Sequence, residues 1–251
     1  MEDCTPTGNR SIMDAIGLQL LSHLFQARTL MLVFWNLLAD LNIVFLALIA
    51  VLCLWKFPLL PKRFQKICYL IWFNLSIEIG ARVLAELTGN NLPLLHIYTL
   101  GEFLLLSYFY RGLLTAPRFL SKNFDRITLF ISLLIIANTL FLQSIYGFNT
   151  YAKTAVQFIF ILYAILYFFD LSEQDTLELI EKKYLRLINS AILIYYSGSL
   201  FIFMFSNYFL QNNLNLPSGL WAFNAILNLV FLSLVSFSLW QIIYRKTRLS
   251  S

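Results

Sequence analysis

Residues 34–56 read FWNLLADLNIVFLALIAVLCLWK, an apolar run that carries few polar side chains, among them Asn36 and Asp40. A transmembrane helix needs about 20 predominantly apolar residues to cross the hydrocarbon core. This run is long enough to cross it as a helix. Six further runs of the same kind follow, at 67–88, 93–115, 127–144, 152–170, 185–207 and 219–244. The sequence therefore predicts an all-α, polytopic membrane protein with seven transmembrane helices.

The composition points to the same class. Hydrophobic residues make up 59% of the 251 residues and charged residues only 12%, whereas soluble domains carry about 45–50% and about 25%. So few charges cannot cover a soluble globule, which excludes soluble enzymes and nucleic-acid-binding domains. The cysteines Cys4, Cys53 and Cys68 fit small hydrophobic side chains, and two histidines are too few for a multi-histidine zinc site. We expect neither a metal nor a cofactor.

Apart from Arg82 within span two, the lysine and arginine residues lie near or beyond the ends of the spans and are distributed unevenly. Fourteen lie on one side of the predicted membrane and three on the other. Because cytoplasmic loops carry the excess, the bias predicts an external N-terminus and a cytoplasmic C-terminus. The predicted organisation is an external tail at 1–33, a bundle at 34–244 and a basic cytoplasmic tail at 245–251. The fourteen are Lys56, Lys62, Arg63, Lys66, Arg111, Arg118, Lys122, Arg126, Lys182, Lys183, Arg186, Arg245, Lys246 and Arg248, and the three are Arg10, Arg28 and Lys153.

A short amphipathic helix is predicted at residues 11–28. Ile12, Ile16, Leu20 and Leu24 fall near one face at helical spacing. Such a helix suits the outer membrane surface, either as an interfacial anchor or as a lid over the outer mouth of the bundle. The segment does not resemble a signal peptide, because no basic region precedes it and no small-residue cleavage pattern follows.

Polar and ionisable side chains interrupt the apolar runs. In span two, Asn74, Glu78, Arg82 and Glu86 follow one another at intervals of four residues and so share one helical stripe. Charges in the bilayer are costly and are expected to face the bundle interior. Together these residues predict a polar cavity that narrows inward from the outer side. The candidate ligand- or proton-binding residues are Asp40, Glu78, Arg82, Glu86, His96, Tyr98, Glu102, Asn224 and Asn228.

The predicted cavity carries more carboxylates than cations. Four of the candidates are carboxylates and one is Arg82, with Lys153 placed at the outer rim. A carboxyl group must then take up a proton, or the site must bind a cation, or water must reach it. Glu78 and Glu102 lie at similar depth on antiparallel neighbouring spans and are expected to share a proton. The alternative is a structural ion-pair network in which Arg82 partners Glu78 and Glu86.

Catalytic signatures are weak or missing. The Ser-Gly-Ser sequence at 197–199 lacks the flanks of a nucleophile elbow. Glu78-x-x-x-Arg82 resembles half of the glutamate–arginine signature of CAAX-type membrane proteases, but Ile77 stands where the paired glutamate belongs and the later histidine motifs are missing. We therefore expect no catalytic residue and no enzyme activity. The seven-span plan resembles that of rhodopsins, SWEET-type sugar carriers and bacterial sensor modules, and no motif singles out one of them.

Two functions fit this pattern. The first is a receptor- or sensor-like bundle whose outward-facing cavity binds a small ligand or cation and signals to a cytoplasmic partner through the charged segment 170–186. The second is a small-solute or proton-coupled transporter of 3+1+3 helix plan, favoured by Asn-Leu-Pro before both span three and span seven. Prolines only at span beginnings or in loops argue against the transporter. We expect the receptor-like protein, in a bacterial inner membrane, with no nucleic-acid partner.

Overall fold

The computed structural model describes residues 7–115, 117–173, 179–212 and 218–249, and within them it shows helices and no strand. Seven α-helices follow one another along the chain: α1 Thr7–Lys56, α2 Lys62–Thr88, α3 Leu92–Arg111, α4 Arg118–Ala137, α5 Thr150–Glu173, α6 Leu179–Gln211 and α7 Ser218–Leu249. A 3₁₀ turn at Phe57–Leu59 follows α1, and a π-helical turn at Asn138–Leu142 follows α4.

Each helix contains a segment that is long and apolar enough to span a membrane. The segments are Val33–Leu59, Lys62–Thr88, Leu92–Arg111, Arg118–Leu142, Thr150–Asp170, Leu179–Ser206 and Gly219–Arg245. All seven coincide with the predicted spans apart from shifts at their ends. For the described residues, the prediction of an all-α fold with seven helices able to span a membrane is confirmed.

The N-terminal part of the chain belongs to a longer helix. The backbone of α1 is helical without a break from Thr7 to Lys56, whereas the sequence predicts a separate amphipathic helix at 11–28. The side chains of residues 7–28 lie outside the described part of the structure, as does Cys4. The amphipathic helix, its surface position and the orientation of the bundle therefore stay predictions.

Two charged stretches outside the predicted spans are helical. Helix α4 begins at Arg118, nine residues before the predicted span, and Asp125 in its second turn binds Arg111 at the end of α3 at 2.5 Å. Helix α6 begins at Leu179, and its Glu181 carboxylate lies 3.6 Å from the Arg63 guanidinium of α2. Charged first turns thus extend both helices beyond their apolar parts. Residues 174–178 lie outside the described structure.

Six of the helices form a ring in chain order. The contacts run from α1 to α2, α3, α5, α6 and α7, and α7 packs back on α1, while α4 packs against the outside of α3. This order is symmetric when α1–α3 are exchanged with α5–α7, as a 3+1+3 plan requires. Any ring of six helices in chain order has the same symmetry, so the duplication stays a prediction.

Most of the described hydrophobic core lies in one half of the ring. We call the end that holds the beginnings of α3, α5 and α7 the outer end, because the charge bias predicts it to be external, and the opposite end the inner end. The buried side chains of α2 all lie in its inner half, between Phe64 and Ile71. Cys53 and Cys68 are fully buried in this core, as expected of small hydrophobic side chains. The outer half of α2 is left to face a cavity or the membrane.

The turn between α2 and α3 makes these helices antiparallel neighbours. Gly89 takes a left-handed conformation (φ 71°) that ends α2, with its N–H bound to Ala85 O at 2.9 Å. Asn90 Oδ1 accepts from the Leu92 N–H at 2.9 Å, and Pro93 lies in the first turn of α3, where it costs no helical hydrogen bond. The predicted adjacency of spans two and three is confirmed.

Candidate functional site

A buried ion pair lies at the centre of the bundle. Lys153 Nζ of α5 is 2.5 Å from Glu102 Oε2 of α3, and the two side chains are 0% and 1% exposed. The other carboxylate oxygen accepts hydrogen bonds from two tyrosines, Tyr196 of α6 at 2.8 Å and Tyr98 of α3. We call these four residues the Glu102 network. It joins three helices, and it satisfies both charges, as burial requires.

Lys153 reaches this depth because α5 begins inside the bundle. Asn149 and Thr150, just before and at its start, are buried, and Asn138 Nδ2 donates to Asn149 Oδ1 at 2.9 Å. The Lys153 ammonium lies 4.3 Å from the centre of the Tyr98 ring, which adds a cation–π contact. The prediction that Lys153 lies at the outer rim is therefore wrong: it assumed that span five begins at the membrane surface.

The observed partners of Glu102 differ from the predicted partner, Glu78. Sequence spacing suggests that Glu102 and Glu78 share a proton, but the hydrogen-bond and ion-pair partners of Glu102 in the described structure are Lys153, Tyr98 and Tyr196. The sequence marks Lys153 as part of a polar helix face but does not identify it as the partner of Glu102. Lys153 precedes Gln157 by one helical turn on the same face, and both side chains are fully buried, with Gln157 donating to Ser199 of α6 at 2.8 Å.

A second ion pair lies near the surface of the bundle. Arg82 of α2 contacts Asp40 of α1 at 2.9 Å, and their side chains are 48% and 64% exposed. Among the described residues, no ion pair joins Arg82 to Glu78 or Glu86. The predicted network of Arg82 with these two glutamates is therefore wrong, and the pair with Asp40 takes its place. Once both pairs are formed, the unpaired carboxylates of the candidate set are Glu78 and Glu86.

A cavity of about 480 Å³ occupies the outer half of the ring. Every helix of the ring except α5 contributes to its wall, and Tyr98 belongs both to this wall and to the Glu102 network. Glu102 itself lies behind Tyr98 and does not line the cavity. The described lining residues are Trp35, Leu46, Asn74, Ile77, Glu78, Ala81, Asn91, Leu92, Leu94, Leu95, Tyr98, Phe148, Tyr195, Phe203, Trp221, Asn224, Asn228 and Leu232.

Aromatic side chains form one part of this wall. The Trp221 ring of α7 lies 6.3 Å from Trp35 of α1, 6.0 Å from Phe148 and 6.2 Å from Phe203 of α6, measured between ring centroids. Aromatic pairs at 4.5–7 Å attract one another beyond the area that they bury (roughly 0.5–1.5 kcal/mol each). The cluster holds α1, α6 and α7 together beside the cavity.

Four of the nine predicted site residues line the cavity: Glu78, Tyr98, Asn224 and Asn228. Asn228 also has a structural contact, because its Nδ2 donates to Asn42 Oδ1 at 2.9 Å while Asn42 Nδ2 donates to Ala225 O at 3.1 Å. This amide clamp joins α1 to α7. It was missed in the sequence, where Asn42 looks like one polar residue in an apolar span.

The other five predicted residues lie apart from the cavity wall. Asp40 and Arg82 form their own pair, Glu102 is behind Tyr98, and Glu86 is exposed one turn beyond Arg82. His96 is buried and faces α4, with Nδ1 3.1 Å from Thr139 Oγ1. The structure thus divides the predicted set into a cavity group and separate helix-packing contacts.

Below the Glu102 network the ring is tightly packed. Tyr110 OH of α3 donates to Asn189 Oδ1 of α6 at 2.7 Å, and Asn189 Nδ2 donates to Ala164 O of α5 at 2.9 Å. Phe103 and Phe160 stack between these two polar layers at 6.2 Å, and both are fully buried. The cavity is therefore closed toward the inner end by an ion pair and then by a packed core.

The described residues contain no group of three or more His, Cys, Asp or Glu side chains that could hold a metal ion. Comparisons with protein-family models, with curated proteins and with solved structures found no match. The bundle and its cavity must therefore be interpreted from their own chemistry.

Proposed function

We propose that the protein is a receptor- or sensor-like membrane bundle whose cavity opens outward and binds a small ligand. The observation that supports this most is the one-sided cavity, wide in the outer half and closed below by the Glu102 network. Its volume of about 480 Å³ falls within the range of small-molecule sites, about 300–1,000 Å³. Its lining includes several aromatic side chains and a few polar ones, as is usual for small-molecule sites.

Tyr98 offers a route from the cavity to the inner end. Its ring lines the cavity, and its hydroxyl group donates to the carboxylate that holds Lys153 and Tyr196. A ligand that displaced Tyr98 would weaken a contact between α3, α5 and α6 at once. Helices α5 and α6 continue from this contact to the charged segment 170–186, which we propose as the surface for a cytoplasmic signalling partner. The predicted orientation and the inner-membrane location are parts of the same proposal.

A transporter of 3+1+3 plan is the second candidate, supported by the ring in which α4 lies outside. Alternating access requires that the inner half can open. The buried pair and the stacked Phe103 and Phe160 close that half, which favours the receptor.

Thiol labelling tests which half is open. In a Cys4→Ser background, Ala81→Cys places a thiol on the cavity wall and Ala164→Cys places one in the packed inner half. Exposed reference positions are Tyr146→Cys, predicted external, and Phe119→Cys, predicted cytoplasmic, at 67% and 74% exposure. Tyr146 is preferable to Asn149 in the same loop, because Asn149 is fully buried.

The proposal predicts that an impermeant thiosulfonate reagent labels Ala81→Cys and Tyr146→Cys in intact cells, labels Phe119→Cys only after cell breakage, and labels Ala164→Cys in neither case. Labelling of Ala164→Cys from the cytoplasmic side would favour the transporter. An unreactive Ala81→Cys, with Tyr146→Cys reactive, would contradict the outward cavity.

A further inference from the structure

The cavity has one charged side chain among its described lining residues, Glu78. Two cations described in the outer half are engaged elsewhere, since Arg82 contacts Asp40 and Lys153 contacts Glu102. Glu78 is exposed, and no ion pair in the described structure involves its carboxylate. The described wall of the cavity thus has one negative charge, that of Glu78, and no positive charge.

The wall beside this carboxylate is suited to cations. Trp35, Trp221, Tyr98 and Tyr195 line the same cavity as Glu78. The faces of tryptophan and tyrosine rings attract ammonium groups, and aromatic residues around a carboxylate are the usual means of binding an organic cation. Tyr98 already shows this behaviour toward the interior, because the Lys153 ammonium lies 4.3 Å from its ring centre.

Two amides of the wall add acceptor oxygens. Asn74 lies one helical turn before Glu78, and Asn224 comes from α7. The Oδ1 atoms of both are buried and accept no hydrogen bond in the described structure. Buried acceptors are rarely left unpaired, so these two oxygens on lining residues are candidates to accept from an N–H donor in the cavity.

We propose that the cavity binds a small organic ammonium ion, with Glu78 as its counter-ion. This inference rests on the proposed ligand-binding function and narrows its ligand to one charge class. A bare metal ion fits less well, because the cavity of about 480 Å³ offers it one carboxylate and a largely aromatic and aliphatic wall. The ammonium group belongs either to a free solute or to the headgroup of an amine-bearing lipid.

Calorimetric titration with three probes of similar size tests the charge class. The purified protein in dodecyl maltoside is titrated at pH 7 with phenethylammonium, with neutral 2-phenylethanol and with anionic 3-phenylpropionate. Phenethylammonium is expected to bind at least about tenfold more tightly than the alcohol, since a charge-assisted contact is about twice as strong as a neutral one, and the anion is expected not to bind.

Glu78→Gln is the decisive variant and Glu86→Gln its matched control. Both remove one negative charge from α2, but only Glu78 lines the cavity, so any long-range effect of net charge is common to both. Glu78→Gln should lose the preference for phenethylammonium, and Glu86→Gln should keep it. Addition of phosphatidylethanolamine, compared with phosphatidylglycerol, identifies the source: competition with the probe indicates a lipid headgroup, and its absence indicates a free solute.

Equal affinity for phenethylammonium and 2-phenylethanol, or equal behaviour of the two variants, would overturn the inference. Absence of binding of all three probes at millimolar concentration would overturn it as well. Tight binding of the neutral or anionic probe would refute the ammonium ligand while leaving the proposed ligand-binding function in place. That function fails separately, if Ala81→Cys is unreactive toward the external thiol reagent.

Discussion

Replacement of Lys153 by methionine should be among the most damaging single changes in the outer half of the bundle. Methionine keeps a flexible apolar stem of similar length but removes the ammonium group. The Glu102 carboxylate, 1% exposed, would then retain two tyrosine donors and no cation. Removal of one partner from a buried pair costs roughly 3–5 kcal/mol. Since each 1.4 kcal/mol is about a tenfold change, the folding equilibrium constant should fall by roughly two to four orders of magnitude.

The matched comparison is Arg82→Met. The pair of Arg82 with Asp40 is half exposed, 48% and 64%, and such pairs contribute about 0–1 kcal/mol. A third variant, Lys153→Met with Glu102→Gln, removes both charges while the glutamine oxygen still accepts from Tyr98 and Tyr196. We expect it to recover at least half of the stability that Lys153→Met loses, because no buried charge is then left alone.

Equilibrium unfolding in mixed micelles of dodecyl maltoside and sodium dodecyl sulfate, followed by far-ultraviolet circular dichroism, measures all three variants. The structure predicts the order wild type, Arg82→Met, double variant, Lys153→Met from most to least stable. If Lys153→Met is no less stable than Arg82→Met, the buried pair does not have the role that its geometry indicates. If the double variant is the least stable of the set, the two charges do not interact as a pair.

Two further predictions concern helix packing and use the same unfolding assay. Gly101→Ala should destabilise the protein by about 1–3 kcal/mol, because a Cβ there would overlap the Phe73 ring. Gly80→Ala is the control, because a Cβ at Gly80 would lie 3.6 Å from its nearest neighbour. Equal stability of the two variants would contradict this packing. Asn42→Leu should lower the free energy of unfolding by about 1–3 kcal/mol, because the Asn228 amide and the Ala225 carbonyl both lose their α1 partner. An unchanged unfolding midpoint would argue against the clamp.

The number and positions of the spans could be predicted because the thickness of the bilayer sets the minimum length of each apolar segment. The α2–α3 adjacency follows from a turn too short to allow any other arrangement. The directions in which the polar residues of α2 face were harder to predict. Residues four apart on an α-helix are rotated by about 40°, so that three steps turn the stripe by about 120°. As a result Asn74 and Glu78 line the cavity, Arg82 turns to α1, and Glu86 is exposed.

The partner of Glu102 could not be predicted from the sequence alone. Its burial at mid-span was a sound expectation, but its cation comes from a helix 51 residues further along the chain. The depth of Lys153 depends on how residues 143–149 fold inward, through Asn138 and Asn149, and hydrophobicity does not report the path of a polar loop. The carboxylates of the interior require a cation. Lys153 supplies it, but the predicted start of span five at residue 152 placed this lysine too close to the membrane surface.

We propose that water fills the outer cavity and is excluded from the inner half. Spin labels along α2 test it directly in proteoliposomes, through their collision rates with a polar nickel chelate and with oxygen. Labels at Ile77 and Ala81 should collide often with the chelate, those at Ile67 and Ile71 rarely with either reagent, and one at lipid-facing Ile79 mainly with oxygen. Equal chelate accessibility in both halves, or none at Ile77 and Ala81, would contradict a one-sided cavity.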